Sequence, residues 1–292
     1  MTINQVSQVQ PDNQNVIMIT GATGGLGKAF AVECASRGWN LFLTDVNLES
    51  LEMLAGGLRR AYGVNVTLQA CDLTDPAARS RLFQRIESDG LRFWGLINVA
   101  GIDFEGPFYE QSRQHIRTIV RLNIEGTLEM THAIMAFRNP TLPFRIINVA
   151  SLAAFYPMPV KATYAASKRF LMDFSLALRN ELREMGASVT VLCPAGMPTT
   201  QECVRAIDAQ GILGQLTTQN TGTVAHLTLN AALKGDAVCI PGRLNQFLQF
   251  AGSLVPTPWV VNLIGSRWKA ARHKQDNHIP GVAWAETAFI FK

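Results

Sequence analysis

Short runs of consecutive apolar residues alternate along this chain with longer stretches in which apolar positions recur every three or four residues. The first pattern predicts buried strands and the second predicts amphipathic helices. Strands are expected at 16–20, 41–44, 64–70, 94–99, 144–149, 188–192 and 237–240. Helices are expected at 26–37, 48–61, 76–88, 111–137, 162–185 and 224–233, with Asp75 placed to cap the third and Gly38 to end the first. Residues 1–14, polar and rich in Gln and Asn, read as a loose tail.

Alternation of this kind predicts an α/β domain over 15–242. Its core would be a doubly wound, Rossmann-like parallel sheet of about seven strands with helices on both faces. Ligands on such sheets sit beyond the carboxyl ends of the strands. Gly21, Asp45, Asp72, Asn98, Ser151 and Pro194 each end or closely follow a predicted strand. This shared placement gives the individual motifs their weight.

The first strand meets the first helix through Thr20-Gly21-Ala22-Thr23-Gly24-Gly25-Leu26-Gly27. Glycines there permit a tight turn and close approach by a phosphate, and a helix N-terminus offers free N–H groups to a pyrophosphate. Asp45 ends the second strand, where a carboxylate can accept hydrogen bonds from adenosine ribose hydroxyls and would repel a 2′-phosphate. NAD is therefore expected over NADP, although Lys28, close to the glycine turn, is a cation on the side of NADP.

Tyr164 and Lys168 stand four residues apart on a predicted helix and share a face, and Ser151 lies thirteen residues before the tyrosine. Alone, such a pair on a helix is usually a surface pair. In a cleft, a cation would lower the phenol's pKa from its ordinary value of about 10 and make it a usable acid/base, with Ser151 holding a substrate oxygen.

Composition narrows the field. With 48% hydrophobic and 16% charged residues, the 292-residue chain can bury a sizeable core. Its net charge of +4 comes with no nucleic-acid-binding motif. The five cysteines form no C-x-x-C pair, so neither a metal site nor a disulfide framework is suggested, and a cytoplasmic setting is expected. No stretch reaches the roughly 18 apolar residues of a membrane span.

Taken together, these residues resemble the classical short-chain dehydrogenase/reductase family over about 15–242. Thr20, Gly21, Gly25 and Gly27 match its cofactor turn, where Thr23, Gly24 and Leu26 would also meet the cofactor. Asp72-Leu73 matches its adenine-side acidic residue, and Asn98-Val99-Ala100-Gly101 its N-x-A-G turn. Asn123 matches the asparagine of its long fourth helix, and Ser151, Tyr164 and Lys168 match its catalytic residues in type and spacing. Pro194-Ala195-Gly196 is similar to its nicotinamide-side turn with the glycine one place late, and Thr199 would reach the cofactor from there.

The resemblance implies hydride transfer between NAD(H) and an alcohol/carbonyl pair in a homodimer or homotetramer. Tyr164 would be the acid/base, Lys168 its cation and a hold on the nicotinamide ribose, and Asn123 the support of a water leading to Lys168. Two alternatives stay open. One is a dinucleotide-binding sensor without turnover. The other is an epimerase or dehydratase of the family's extended branch, whose T-G-x-x-G-x-x-G turn Gly24 and Gly27 also fit.

The apolar, proline-stiffened stretch 155–160 is expected to wall the substrate pocket through Phe155 and Met158, and 199–222 to cover it. Neither holds a charge cluster, which predicts a hydrophobic or neutral alcohol or ketone. Residues 243–292 form an extension containing an amphipathic helix. Its apolar positions 259, 260, 263, 264, 268 and 271 are expected to pack on the domain or on a second subunit, with peripheral membrane contact as the alternative.

Overall fold

The computed structural model describes residues 15–199, 203, 215–276 and 288–290, with side chains described as far as 266. The expected 1–14 tail and most of the 199–222 covering segment lie outside the described residues.

Strands β1 (Val16–Thr20), β2 (Asn40–Asp45), β3 (Val66–Ala70), β4 (Phe93–Asn98), β6 (Phe144–Val149), β7 (Ala187–Leu192) and β8 (Val238–Cys239) form one sheet in the order β3-β2-β1-β4-β6-β7-β8. Every neighbouring pair is parallel. The chain begins in the middle of the sheet, runs to one edge through β2 and β3, then crosses β1 to build the other half. The crevice between β1 and β4 is thus the switch point at which such sheets bind ligands.

Both faces are covered. Ile17 and Ile19 of β1, with Leu41, Leu43 and Ile97, pack under α1 (Gly25–Ser36), α2 (Leu48–Tyr62) and α7 (Thr221–Lys234). Val16 and Met18, with Phe42, Leu96 and Ile146, pack against α3 (Pro76–Ser88) and α5 (Thr127–Ala136). A strand buried on both faces carries apolar residues on both, and for this reason strands such as Val16–Ile19 and Leu41–Leu43 read as runs rather than as alternation.

The helix expected over 111–137 is built from three pieces: α4 (Arg113–Ile119), a π-helical segment over Val120–Gly126, and α5. Asn123 lies in the π segment. Helix α6 (Ala162–Glu181) carries Tyr164 and Lys168, and Gly186 in the left-handed conformation closes the short 3-10 turn that follows it. Strand β5 (Ile102–Phe104), which sequence patterning did not suggest, pairs antiparallel with β9 (Ala288–Ile290). The extension contains two helices, α8 (Arg243–Ser253) and α9 (Thr257–Asp276).

Candidate active site

The glycine turn is shaped by close approach. Gly21 has φ of +62°, and a Cβ there would lie 2.8 Å from the backbone of Ala100. A Cβ on Gly27 would lie 2.0 Å from the carbonyl oxygen of Gly21. The helix can therefore begin against the turn only with glycine at 27, and the turn can rest on the β4 loop only with glycine at 21. Thr20 secures the same contact, its Oγ1 accepting from the N–H of Val99 at 3.1 Å and of Ala100 at 3.3 Å. α1 starts with no side-chain cap and no acidic residue in its first turn, leaving its end electropositive for an anion. Thr199 leans on this turn from the β7 side, since a Cβ on Gly25 would meet its Cγ2 at 2.7 Å.

Asp45 stands beside the turn. One carboxylate oxygen accepts from the Thr23 N–H at 2.9 Å and the other from Val46 N–H at 2.7 Å. Asp72, exposed on the neighbouring loop, accepts from the N–H and hydroxyl of Thr74, both at 2.8 Å. Buried Leu73 offers its carbonyl to the guanidinium of Arg79, which also pairs with Glu125 and Glu129 and so ties α3 to the helix opposite. These residues fit a dinucleotide: the cradle is one that a Cβ would fill, and a carboxylate stands at the end of β2.

The catalytic candidates converge at the far side of the crevice. Tyr164 and Lys168 are buried, at 7% and 2% exposure. Lys168 Nζ donates to the Val149 carbonyl at 2.8 Å and lies 5.7 Å from the centre of the Tyr164 ring. Ser151 stands near enough to the Tyr164 phenol to pull its pKa down, and its Oγ accepts from Ala153 N–H at 3.1 Å. Gly101 leaves the lysine its space, for a Cβ there would sit 3.1 Å from Nζ. From the β7 loop, the Pro194 carbonyl accepts from Leu152 N–H at 2.9 Å and the Gly196 carbonyl from Gln219 N–H at 3.3 Å.

Asn123 grips the chain after β4 as a second backbone would. Its Oδ1 accepts from Ile102 N–H at 2.8 Å, and its Nδ2 donates to the Ile102 carbonyl and to Ser167 Oγ, both at 3.0 Å. Ser167 in turn donates to the Tyr164 carbonyl at 2.7 Å. Asn98 turns into the sheet, donating to Thr131 at 3.0 Å and to Asn148 at 2.9 Å. Met158 packs with Tyr164 and Ala153, whereas Phe155 packs further back, with Ala154, Leu171 and Val191.

One group was missed from sequence. Lys161, one residue before α6, pairs with Asp103 at 2.6 Å and Glu105 at 3.2 Å, and its ammonium lies 5.9 Å from the centre of the Tyr164 ring. Asp103 Oδ1 is buried with no hydrogen-bond partner among the described residues. Val160, just before, has φ of +61°, a costly conformation for a β-branched residue, and its carbonyl accepts from Gly106 N–H at 2.8 Å. The only sequence signals were the two prolines upstream and a lysine flanking the catalytic helix.

Charge at the site follows from burial. Burial pushes the Tyr164 phenol up, the Asp103 carboxylate adds to this, and Lys161 with Ser151 pulls the other way. Burial pulls Lys168 down to about 8, partly offset by Asp103. Burial would also lower Lys161, but Asp103 and Glu105 outweigh it and hold that ammonium above the usual lysine range. Lys161 thus joins Lys168 as a cation near the phenol, at 5.9 Å and 5.7 Å from the ring centre.

The Lys168 shift has a stability consequence. Between pH about 8 and about 10.4 the unfolded chain keeps this proton and the folded chain has released it, so stability rises with pH there. Below pH 8 the buried charge costs the fold on the order of a few kcal/mol, and the penalty is relieved as pH climbs. Thermal melts of wild type and Lys168→Met at pH 7 and pH 9 should show the wild type gaining on the variant at the higher pH.

Sheet order, glycine cradle and tyrosine-lysine pair together define a dinucleotide-binding oxidoreductase fold. The short chain dehydrogenase family model matches residues 15–208, and the chain belongs to that family. It is 29% identical to a very-long-chain 3-oxoacyl-CoA reductase of Anas platyrhynchos over 85% of this chain and 78% of that one. It is 30% identical to human 17-beta-hydroxysteroid dehydrogenase type 3 over 62% of this chain and 59% of that one. It is 34% identical to a sulfoacetaldehyde reductase of Chromohalobacter salexigens over 65% and 75% of the two chains. Among solved structures, a short-chain dehydrogenase from Sphingobium yanoikuyae in complex with NADPH superposes with a TM-score of 0.67 at 25% identity, covering 95% of this chain and 98% of that one.

Proposed function

We propose that this protein transfers hydride between NAD(H) and a hydrophobic secondary alcohol or ketone. The observation that carries the reading is the convergence of Ser151, Tyr164 and Lys168 at the same carboxyl end of the sheet as the glycine cradle. When bound, the nicotinamide supplies or accepts the hydride. The turn 20–27 would hold the pyrophosphate, Asp45 the adenosine ribose, and Asp72 with Leu73 the adenine side. Asn98, Ala100, Gly101, Pro194, Gly196 and Thr199 would line the remaining path.

Tyr164 would give its proton to the carbonyl oxygen during reduction and take it from the alcohol during oxidation. Ser151 would hold that oxygen, where charge changes most in the transition state. Lys168 and Lys161 supply positive charge on two sides of the ring, and Asn123 keeps α6 in register with the β4 loop through Ser167 and Ile102. Met158, packed beside Tyr164, favours a neutral, lipophilic substrate. The relative named for a hydroxysteroid agrees with this, the one named for a very-long-chain 3-oxoacyl-CoA agrees in its acyl chain but not in its anionic CoA, and the one named for sulfoacetaldehyde, a small anion, does not. Exposed Phe170 and Leu176 on α6 suit a homo-oligomer contact.

The test is binding of NAD and NADP followed by turnover on lipophilic ketones and secondary alcohols. Binding with no turnover across the panel would make the chain a sensor. Reaction of a nucleotide sugar without net cofactor consumption would move it to the extended branch. For cofactor choice, Asp45→Asn keeps the acceptor that Thr23 N–H uses and removes the charge. The kcat/KM ratio of NADP to NAD should rise on the order of a hundredfold, since like charges in contact cost several kcal/mol.

A further inference from the structure

The apolar face expected of the extension is split: Val260 is buried and Ile264 half-buried, while Trp259 and Leu263 lie outward. Phe247, Phe250, Leu254, Trp259 and Leu263 are all between 60% and 73% exposed. The opposite side of the same helices is the packed one. Tyr156 Oη donates to the Gln249 carbonyl at 2.7 Å, Val260 is buried, and a Cβ on Gly265 would meet Pro159 at 3.3 Å. α8 and α9 thus lie with one side on the 156–159 stretch and present the other, rich in aromatic and aliphatic side chains, outward.

Charge falls on the same segment. Residues 237–275 contain Arg243, Arg267, Lys269, Arg272 and Lys274 and no acidic residue. Of 26 Lys and Arg and 22 Asp and Glu in the chain, the remainder therefore holds 21 and 22 and is net −1. The net positive excess of the chain thus lies in the segment that exposes Phe247, Phe250 and Trp259.

We propose that the outward side of α8 and α9 docks on an anionic lipid surface. Aromatic and aliphatic side chains flanked by lysine and arginine are what the interface of such a surface accommodates. A second copy of the chain is a poorer occupant, because a symmetric contact would bring two acid-free basic segments together. Among the described residues no helix is long and apolar enough to cross a membrane, so the contact is one of helices lying in the interface plane.

The experiment is co-sedimentation of the full chain with vesicles of phosphatidylcholine, alone or with about 30% phosphatidylserine, at low and high salt. Binding should be at least about tenfold tighter to the anionic vesicles and should weaken with salt. Neutralising the charge (R267Q, K269Q, R272Q and K274Q together) should weaken binding about tenfold or more, and so should Phe247→Ser combined with Trp259→Ser. Equal binding to neutral and anionic vesicles, or undiminished binding by the neutralised variant, overturns the proposal. So does a soluble dimer that the serine pair converts to monomer while vesicle binding persists. Should the serine pair misfold by circular dichroism, the neutralised variant decides.

Discussion

Tyr164→Phe should lower kcat by about 10²–10⁴, the usual contribution of a positioned acid/base, while dinucleotide affinity changes little. The substitution removes one hydroxyl and keeps the ring on which Met158 and Ala153 pack. Stopped turnover with cofactor fluorescence unchanged on titration is the expected pair of results. Near-normal turnover would sink the acid/base role, and joint loss of turnover and binding would mean that the ring, rather than the hydroxyl, is what the site needs.

The second large effect is expected at Gly27→Ala. One added methyl would sit 2.0 Å from the Gly21 carbonyl oxygen, far inside contact distance and against backbone, which no rotamer change can relieve. α1 would have to withdraw from the turn. Overpacking typically costs 1–3 kcal/mol, so the melting temperature should fall by several degrees, about 2–4 °C per kcal/mol for a domain of this size. Dinucleotide binding should be lost even where the fold survives, because the N–H groups of the helix end would no longer face the turn. Gly38→Ala is the control: a Cβ there meets nothing within 4 Å, and only the backbone strain of its φ of +78° remains. That variant should melt lower yet keep its affinity. Equal loss of affinity in both would remove the cradle argument.

The parts of this molecule that were readable from sequence share a physical reason. Strands buried on both faces are mostly apolar, so 16–19 stood out as a run, and Phe144, Ile146, Ile147 and Val149 stood out despite Arg145 and Asn148 between them. The glycine turn and the Ser151, Tyr164 and Lys168 spacing are local, each set within one loop and helix. What escaped was non-local or a matter of phase. β5 is three residues long and pairs with a strand nearly two hundred residues later, so no periodicity could mark Asp103. Lys161 acquires its meaning only from Asp103 and Glu105, which reach it across the fold. The apolar row at 259 and 263 announced an amphipathic helix correctly, but amphipathicity does not say which side meets the protein. Tyr156 and Pro159 took the other side.

The π-helical segment at Val120–Gly126 sets a limit on how the gene can vary. A π turn holds one residue more than an α turn, so the single helix seen in the sequence is two helices rotated about its axis by roughly 100° relative to each other. One portion aims Asn123 at Ile102, and the other aims Met130 and Ile134 at the sheet. Deleting any one residue between 120 and 126 would restore a regular helix and force a choice between those two aims. This stretch should therefore tolerate substitution far better than any change of length.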